Sequence, residues 1–176
     1  NGKIIQGSHP VGWCPKDQNP VSQHDTMGDV EPKIDDKNFL VKFSFGEFIF
    51  PITTLRPETI FGITNLWVNP NTIYKKLTVD GEKWIVSEEC AYKLAFFEKQ
   101  ITIDGDIAGS EIIGKNAKTH DGRDIPILPA DFVEPGMGTG LVMSVPGHAP
   151  KDYQALMDLK TKNHELAVKI APISII

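Results

Sequence analysis

Phe39-Leu40-Val41-Lys42-Phe43-Ser44-Phe45-Gly46-Glu47-Phe48-Ile49-Phe50-Pro51-Ile52-Thr53-Thr54-Leu55 is the stretch whose pattern decides the fold class. Val41, Phe43 and Phe45 recur at every second position, with Lys42 and Ser44 between them. Period two marks a strand with one buried face. Gly46-Glu47 then supplies a two-residue turn, and Phe48, Phe50 and Ile52 resume the alternation. The stretch predicts a β-hairpin whose second arm runs into Thr53 and Thr54.

The pattern continues downstream. Leu55 to Gly62 reads as a helical turn, with Pro57 suited to a first helical position and Gly62 able to close it. Leu77-Thr78-Val79 and Lys83-Trp84-Ile85-Val86 flank Asp80-Gly81, a strong hairpin signal. Ser87 is an N-cap candidate, followed by Glu88 and Glu89 in a first turn. That helix is expected to reach about Glu98, with Tyr92, Ala95 and Phe96 inward. Short strands follow at 101–103 and 125–128, the second after an Asp121-Gly122 turn. A further strand at 141–145 stops at Pro146-Gly147, and Pro150 opens a helix to about Asn163. Many short strands with two or three helices predict an α+β fold, a β-barrel-like sheet with peripheral helices. Upstream, residues 1–38 are rich in Pro, Gly, Asp and Asn. They read as a connecting arm with little regular structure, anchored by Trp13, ahead of a domain at 39–176.

Composition bounds the function. The chain has 176 residues, 40% of them apolar and 23% charged, which suits a globular domain with a core. Its formal charge is −5. A domain gripping long duplex nucleic acid alone is normally basic, so any nucleic-acid contact here is expected to be small. No run of about 18 apolar residues occurs, so no membrane span is expected. Two cysteines, Cys14 and Cys90, are too few for a disulfide framework and favour a reduced, cytoplasmic setting. The chain lacks an initiator Met and stops inside an apolar run ending at Ile176, and it reads as a piece of something larger.

Several chemistries are weakly supported. Gly136-Met137-Gly138-Thr139-Gly140 precedes a strand, whereas a phosphate cradle needs a helix N-terminus next, so it reads as a plain turn. Cys14 and His24 are two candidate ligands where a structural zinc site needs four, and no metal is expected. No Gly-x-Ser-x-Gly elbow marks a covalent nucleophile. Two segments remain: Thr53-Thr54-Leu55-Arg56-Pro57-Glu58-Thr59 and Ser144-Val145-Pro146-Gly147-His148-Ala149-Pro150-Lys151-Asp152-Tyr153. Each puts polar groups where a strand ends and a helical turn begins, and such ends expose backbone groups to ligands. Asp152 falls in a helix first turn, where backbone N–H groups and the helix dipole favour its ionised form. At a pocket mouth that carboxylate is a partner for an ammonium group. The bland alternative is a capping Asp152 beside ordinary strand threonines.

Extended to residues 53–70 and 138–153, the two segments resemble the editing insertion of class I aminoacyl-tRNA synthetases, in particular the leucyl type of archaea and eukaryotes. His9-Pro10-Val11-Gly12-Trp13-Cys14-Pro15-Lys16-Asp17-Gln18-Asn19-Pro20-Val21 is similar to the segment that leads into it. Leu55, between the threonines and Arg56, resembles the archaeal and eukaryotic branch. Ala149 stands where bacterial leucyl enzymes carry a carboxylate, so no role of that carboxylate transfers. Residues 71–113 match more weakly. His-Ile-Gly-His-like and Lys-Met-Ser-Lys-Ser-like motifs are absent.

The resemblance implies post-transfer editing: hydrolysis of the ester on tRNA(Leu) wrongly charged with isoleucine, methionine or norvaline. It implies Asp152, Thr53 and Thr54 as catalytic-site residues. Asp152 would hold the substrate ammonium; Thr53 and Thr54 would bind the terminal adenosine or carbonyl region and orient water. Thr59 would crowd the cognate leucine side chain, and Arg56 would steady the site or meet the substrate backbone. Met143 and Val145 would line the side-chain pocket, with Gly147 and His148 contacting the ligand. No cofactor is implied for this reaction; ATP and magnesium belong to the synthetic domain, which is absent here and which joins leucine to tRNA(Leu). The implied partners are the 3′ end of mischarged tRNA(Leu) and the rest of the synthetase, with no membrane and a monomeric domain. The alternative is a module of the same fold that binds an aminoacyl or nucleoside ligand without hydrolysing it.

Overall fold

The computed structural model describes residues 12–14, 16–21, 38–97, 99–162 and 164–175. They fall in two compact units, 1–36 and 37–176. The first unit contains an antiparallel hairpin of β1 (Gly12–Cys14) and β2 (Asn19–Val21), with Trp13 opposite Pro20. This corrects the expectation of little regular structure there: Gln18 takes a φ of 53°, which helps the short connection reverse the chain. The side chain of Trp13, and His24, lie outside the described residues.

In the second unit, β3 (Phe39–Phe45) and β4 (Phe48–Thr54) form the predicted hairpin. Val41 pairs with Ile52, Phe43 with Phe50 and Phe45 with Phe48. Gly46 takes φ +60° at the first turn position, where a Cβ would be strained. A 3-10 turn over Pro57–Gly62 follows. Next come β5 (Asn65–Val68) and the hairpin β6 (Ile73–Val79) and β7 (Glu82–Ser87), reversed by Asp80 and Gly81 at φ 50° and 89°. The helix α1 (Glu88–Leu94) is capped by the Ser87 hydroxyl, which accepts from the Cys90 N–H at 3.1 Å. Then β8 (Ile101–Ala108), the short helix α2 (Gly109–Ile112), β9 (Asn116–Lys118) and β10 (Asp124–Pro129) lead to β11 (Leu141–Ser144). Helices α3 (Pro150–Thr161) and α4 (Glu165–Val168) close the order.

Among the described residues nine strands make one mixed sheet in the order β11-β5-β10-β9-β3-β4-β7-β6-β8. Pairs β10/β5 and β4/β7 are parallel and the others antiparallel. One face curls around a core to which strands from both ends of that order contribute: Phe43, Phe50, Ile52, Leu66, Tyr74, Ile107, Ile127 and Met143. The α+β class holds, while β8 and β11 remain edges rather than pairing to close a barrel. On the other face, Trp67 and Leu128 pack under Leu156 of α3 and Ala167 of α4. Elsewhere Leu77, Val79, Trp84 and Val86 pack under Cys90 and Ala91 of α1.

Two expectations change. Helix α1 ends at Leu94, and Cys90 and Ala91 face inward while Tyr92, Ala95 and Phe96 are not buried. The Ser87 cap fixes the helix phase, and at 3.6 residues per turn this turns position 92 outward; 95 and 96 lie beyond the last turn. Strand β5 was not expected. All four of its side chains are buried, Leu66 and Val68 in the central core and Trp67 under α3, so no polar alternation betrays it.

Candidate functional site

The second arm of the decisive hairpin delivers the first half of the site. As β4 leaves the sheet, Pro57 cannot continue a ladder and starts the 3-10 turn, with Arg56 at its N-cap. The Thr54 hydroxyl accepts from the Arg56 N–H at 3.1 Å, and the Thr59 hydroxyl donates to the Arg56 carbonyl at 2.7 Å. Thr59 is only 3% exposed, so its side chain is pinned in the wall. The Arg56 guanidinium pairs with Glu58 at 2.9 Å at the surface and holds that carboxyl below its ordinary range.

The second half comes from β11 and the start of α3. Met143 and Val145 are buried beside the central core. Pro146 and Gly147 break the strand, and the His148 and Ala149 N–H groups both return to the Val145 carbonyl, at 2.8 and 2.9 Å. Pro150 then enters α3 at a position whose N–H has no helical partner to lose.

A cleft of about 300 Å³ lies between the halves. Thr53, Thr54, Arg56, Thr59, Met143, Val145 and His148 all line it, together with Leu55, Val142 and Ala149. Ala149, small and uncharged, thus stands in the wall itself. Leu55 is 56% exposed, an apolar side chain left at the cleft.

Asp152 and Gly147 are placed differently from expectation. Asp152 is not among the residues that line the cleft and is only 7% exposed. One carboxylate oxygen accepts from the Trp67 indole N–H at 3.1 Å and the other from the Val145 N–H at 2.8 Å. Burial pushes its carboxyl above the ordinary Asp range, against the Val145 and Trp67 hydrogen bonds, which pull it down. Desolvation therefore outweighs the donors around it in setting the direction of the shift. Trp67, the indole that orients this carboxylate, carries no local signal of that role. An 85-residue separation hides the pair, and only the topology, with β5 beside β11 beneath α3, brings it together.

Gly147 is not in the lining. Its α-carbon lies against the C-terminal segment, and a Cβ there would sit 2.1 Å from the Ile173 carbonyl oxygen and 2.8 Å from the carbonyl carbon. His148 faces the cleft while its Nε2 accepts from the Ile175 N–H at 3.0 Å, so that nitrogen carries no proton in this arrangement. Gly147→Ala is expected to lift residues 173–175 off the domain, because backbone cannot yield at such a distance. A fall in melting temperature and faster amide exchange at Ile175 would report it; unchanged exchange at Ile175 would count against this contact.

Among the described residues no group of three or more His, Cys, Asp or Glu side chains is arranged to hold a metal ion. Cys14 instead donates its Sγ–H to Asp17 at 3.2 Å. Nor is any helix of the described residues long and apolar enough to cross a membrane.

Comparison with known proteins agrees with this geometry. The family described as "Leucyl-tRNA synthetase, editing domain" matches residues 38–170. A leucine–tRNA ligase of Methanothrix thermoacetophila is 50% identical over 159 residues, which cover 90% of this chain and 17% of that protein. One of Archaeoglobus fulgidus is 47% identical over 169 residues, 94% of this chain and 18% of that protein. The chain therefore spans less than a fifth of the length of these curated relatives. Among solved structures, GlLeuRS-CP1 superposes with a TM-score of 0.66 at 26% identity, covering 76% of this chain and 64% of that one. The editing domain of the P. falciparum cytosolic leucyl-tRNA synthetase does so with a TM-score of 0.61 at 25% identity, covering 70% and 50%. With the strand-end threonines and the β11–α3 turn meeting at one cleft, and with about three-quarters of its length matched, the chain belongs to the leucyl-tRNA synthetase editing domain family.

Proposed function

We propose that this chain is the post-transfer editing domain of a cytoplasmic leucine–tRNA ligase and hydrolyses the ester of tRNA(Leu) carrying isoleucine, methionine or norvaline. The observation that carries the reading is the convergence of Thr53, Thr54, Arg56 and Thr59 with Met143, Val145 and His148 on one cleft. Editing is needed because one methylene is worth only about 1–3 kcal/mol to a single binding step, a limit that synthetases for small apolar amino acids share. A second site that measures shape again multiplies the discrimination.

The chemistry follows from placement. The aminoacyl ester enters with its side chain toward Met143, Val145 and Thr59, and its ammonium toward Asp152, whose two carboxylate oxygens each accept one internal hydrogen bond and keep a further lone pair. The Thr53 and Thr54 hydroxyls meet the carbonyl or the terminal ribose and orient a water on the ester. Water attacks the carbonyl carbon, the ester C–O bond breaks, and the amino acid leaves with tRNA bearing a free 3′-terminal ribose. Holding both reactants supplies much of the rate. The net charge of −5 agrees with contact limited to the tRNA 3′ end, the remainder being bound by the ligase body.

The test uses the complete ligase carrying this domain, mixed separately with Ile-tRNA(Leu) and Leu-tRNA(Leu). Rapid loss of isoleucine with leucine retained supports editing. Tight binding of both without turnover would instead leave a binding module.

The buried Asp152 also sets a pH dependence. Its native carboxyl titrates above the unfolded value, so over that window the folded domain holds more protons than the unfolded chain. Stability contributed by this group is therefore present at low pH and lost as pH rises through the raised native value. Activity runs the other way, since only the ionised form pairs with an ammonium. The acid limb of kcat/KM is expected above the usual Asp range. Trp67→Phe removes one donor to the carboxylate and should move that limb further up. A limb that stays put would show that Asp152 ionisation does not govern turnover.

A further inference from the structure

Gly136-Met137-Gly138-Thr139-Gly140 looks like a mere turn, yet two of its glycines are in tight contact with the rest of the domain. Gly138 has φ +56°, and a Cβ built on it would lie 2.5 Å from Oγ1 of Thr53. The loop backbone is thus the surface against which the Thr53 side chain rests. The loop itself is fixed from its other side. The Thr139 carbonyl accepts from the Ser87 N–H at 2.9 Å, and the Ser87 hydroxyl donates to the Pro135 carbonyl at 2.7 Å. The Tyr74 hydroxyl donates to the Gly140 carbonyl at 3.0 Å. Burial pushes that phenol up to about 12, so it remains a donor at neutral pH. The Lys93 ammonium closes the set on the Gly136 carbonyl. Gly140, φ +77°, is so close to the helix cap that a Cβ would meet the Ser87 Cβ at 2.5 Å.

The three cleft threonines differ in what holds them. Thr54 and Thr59 are each tied by a hydrogen bond to Arg56 backbone. Among the described residues no hydrogen bond engages the Thr53 hydroxyl; its Oγ1 instead stands within 2.5 Å of where a Cβ on Gly138 would be. A β-branched side chain has few χ1 wells, so a steric shelf on one side is enough to select among them. A hydroxyl set by contact alone keeps its donor and both acceptor positions for a ligand or a water.

We infer that residues 134–140 form a positioning element of the cleft, in which Gly138 is the positioning residue that orients the Thr53 hydroxyl toward the ester. This rests on the editing reading of the cleft. Any side chain at 138 occupies the space of Oγ1 and turns Thr53 into another rotamer. The reach of the contact runs from α1 and the β6–β7 hairpin, through the loop, to the end of β4.

The test compares Gly138→Ala, Thr53→Ala and the double variant in the complete ligase. Gly46→Ala serves as the control: Gly46 has φ +60° with nothing within 4 Å of its added Cβ, so it isolates left-handed backbone strain. Gly138→Ala is expected to lower the kcat of Ile-tRNA(Leu) deacylation about 10²-fold, the scale of an ångström-sized misplacement, with KM little changed. Gly46→Ala should match wild type. In the Thr53→Ala background the Gly138 change should cost less than about 3-fold, because the partner of the clash is gone. Equal losses in both backgrounds, or a Thr53→Ala enzyme as fast as wild type, would overturn the inference. So would a crystal structure of the Gly138→Ala enzyme with Thr53 Oγ1 unmoved. If the wild-type ligase deacylates nothing, the editing reading fails, and the crystal structure still decides whether Gly138 sets Thr53.

Discussion

Asp152→Ala in the complete ligase is expected to cut deacylation of Ile-tRNA(Leu) by about 10²-fold or more, while leucine ligation at the separate synthetic site continues. The first part follows from losing the carboxylate that would fix the substrate ammonium, which frees the ester to leave its reactive geometry. The second supplies an internal control for folding. Such a control is needed because Asp152 also has a structural job. Its oxygens satisfy the Trp67 indole and the Val145 N–H, both in buried surroundings. Removing the carboxylate leaves two donors without acceptors, at about 1–3 kcal/mol each. The variant should therefore melt lower as well as edit slowly. Assays belong at a temperature where near-ultraviolet dichroism shows the domain packed. Asp152→Asn keeps the volume but turns an amide toward one of the two donors, so it should melt between the two proteins and still fail to edit. A folded Asp152→Ala enzyme that clears isoleucine at the wild-type rate would remove the carboxylate from the mechanism.

What the sequence discloses and what it hides follow one physical line. The β3–β4 hairpin, the Asp80-Gly81 turn and the Ser87 cap depend on residues within a few positions of one another, and local pattern predicts them correctly. Strand β5 is covered on both faces, so its four residues carry no alternation to detect. Helix α1 buries a different face from the one its aromatic residues suggest: Tyr92 and Phe96 stay exposed because the Ser87 cap sets another phase and the helix stops at Leu94. The residue types of the cleft are legible because each half is a continuous segment. Their environment is not. The Trp67–Asp152 pair, the Thr53–Gly138 contact and the Ile175–His148 bond all join distant segments, and only the tertiary arrangement brings them together. For the same reason Asp152 looks like a surface cap in sequence and is a desolvated carboxylate in the fold.

Thr59→Ala is expected to make the enzyme destroy its own correct product. Thr59 is pinned on one side by its hydroxyl bond to the Arg56 carbonyl at 2.7 Å and buried to 3% exposure. Its methyl therefore has one position in the cleft wall, and the wall cannot relax around leucine's side chain, which branches one carbon further out than isoleucine's. Truncation to Ala removes that methyl from the wall, along with the hydroxyl behind it. Since a methylene-sized change is worth roughly 10–200-fold in such pockets, hydrolysis of Leu-tRNA(Leu) should rise by about that factor. Isoleucine clearance should change much less, because its ester already fits. Net leucine charging would fall although ligation is untouched. Thr59→Val separates bulk from hydrogen bonding: it keeps the shape and loses the donor to Arg56. If exclusion is steric, Val protects leucine as Thr does and Ala does not. If the hydroxyl matters instead, through its hold on the Arg56 backbone, Val and Ala should fail alike. Leucine lost at the same rate from all three enzymes would show that residue 59 does not read the side chain. The discriminating surface would then have to be Met143 and Val145 on the opposite wall, where shortening Met143 is the corresponding experiment.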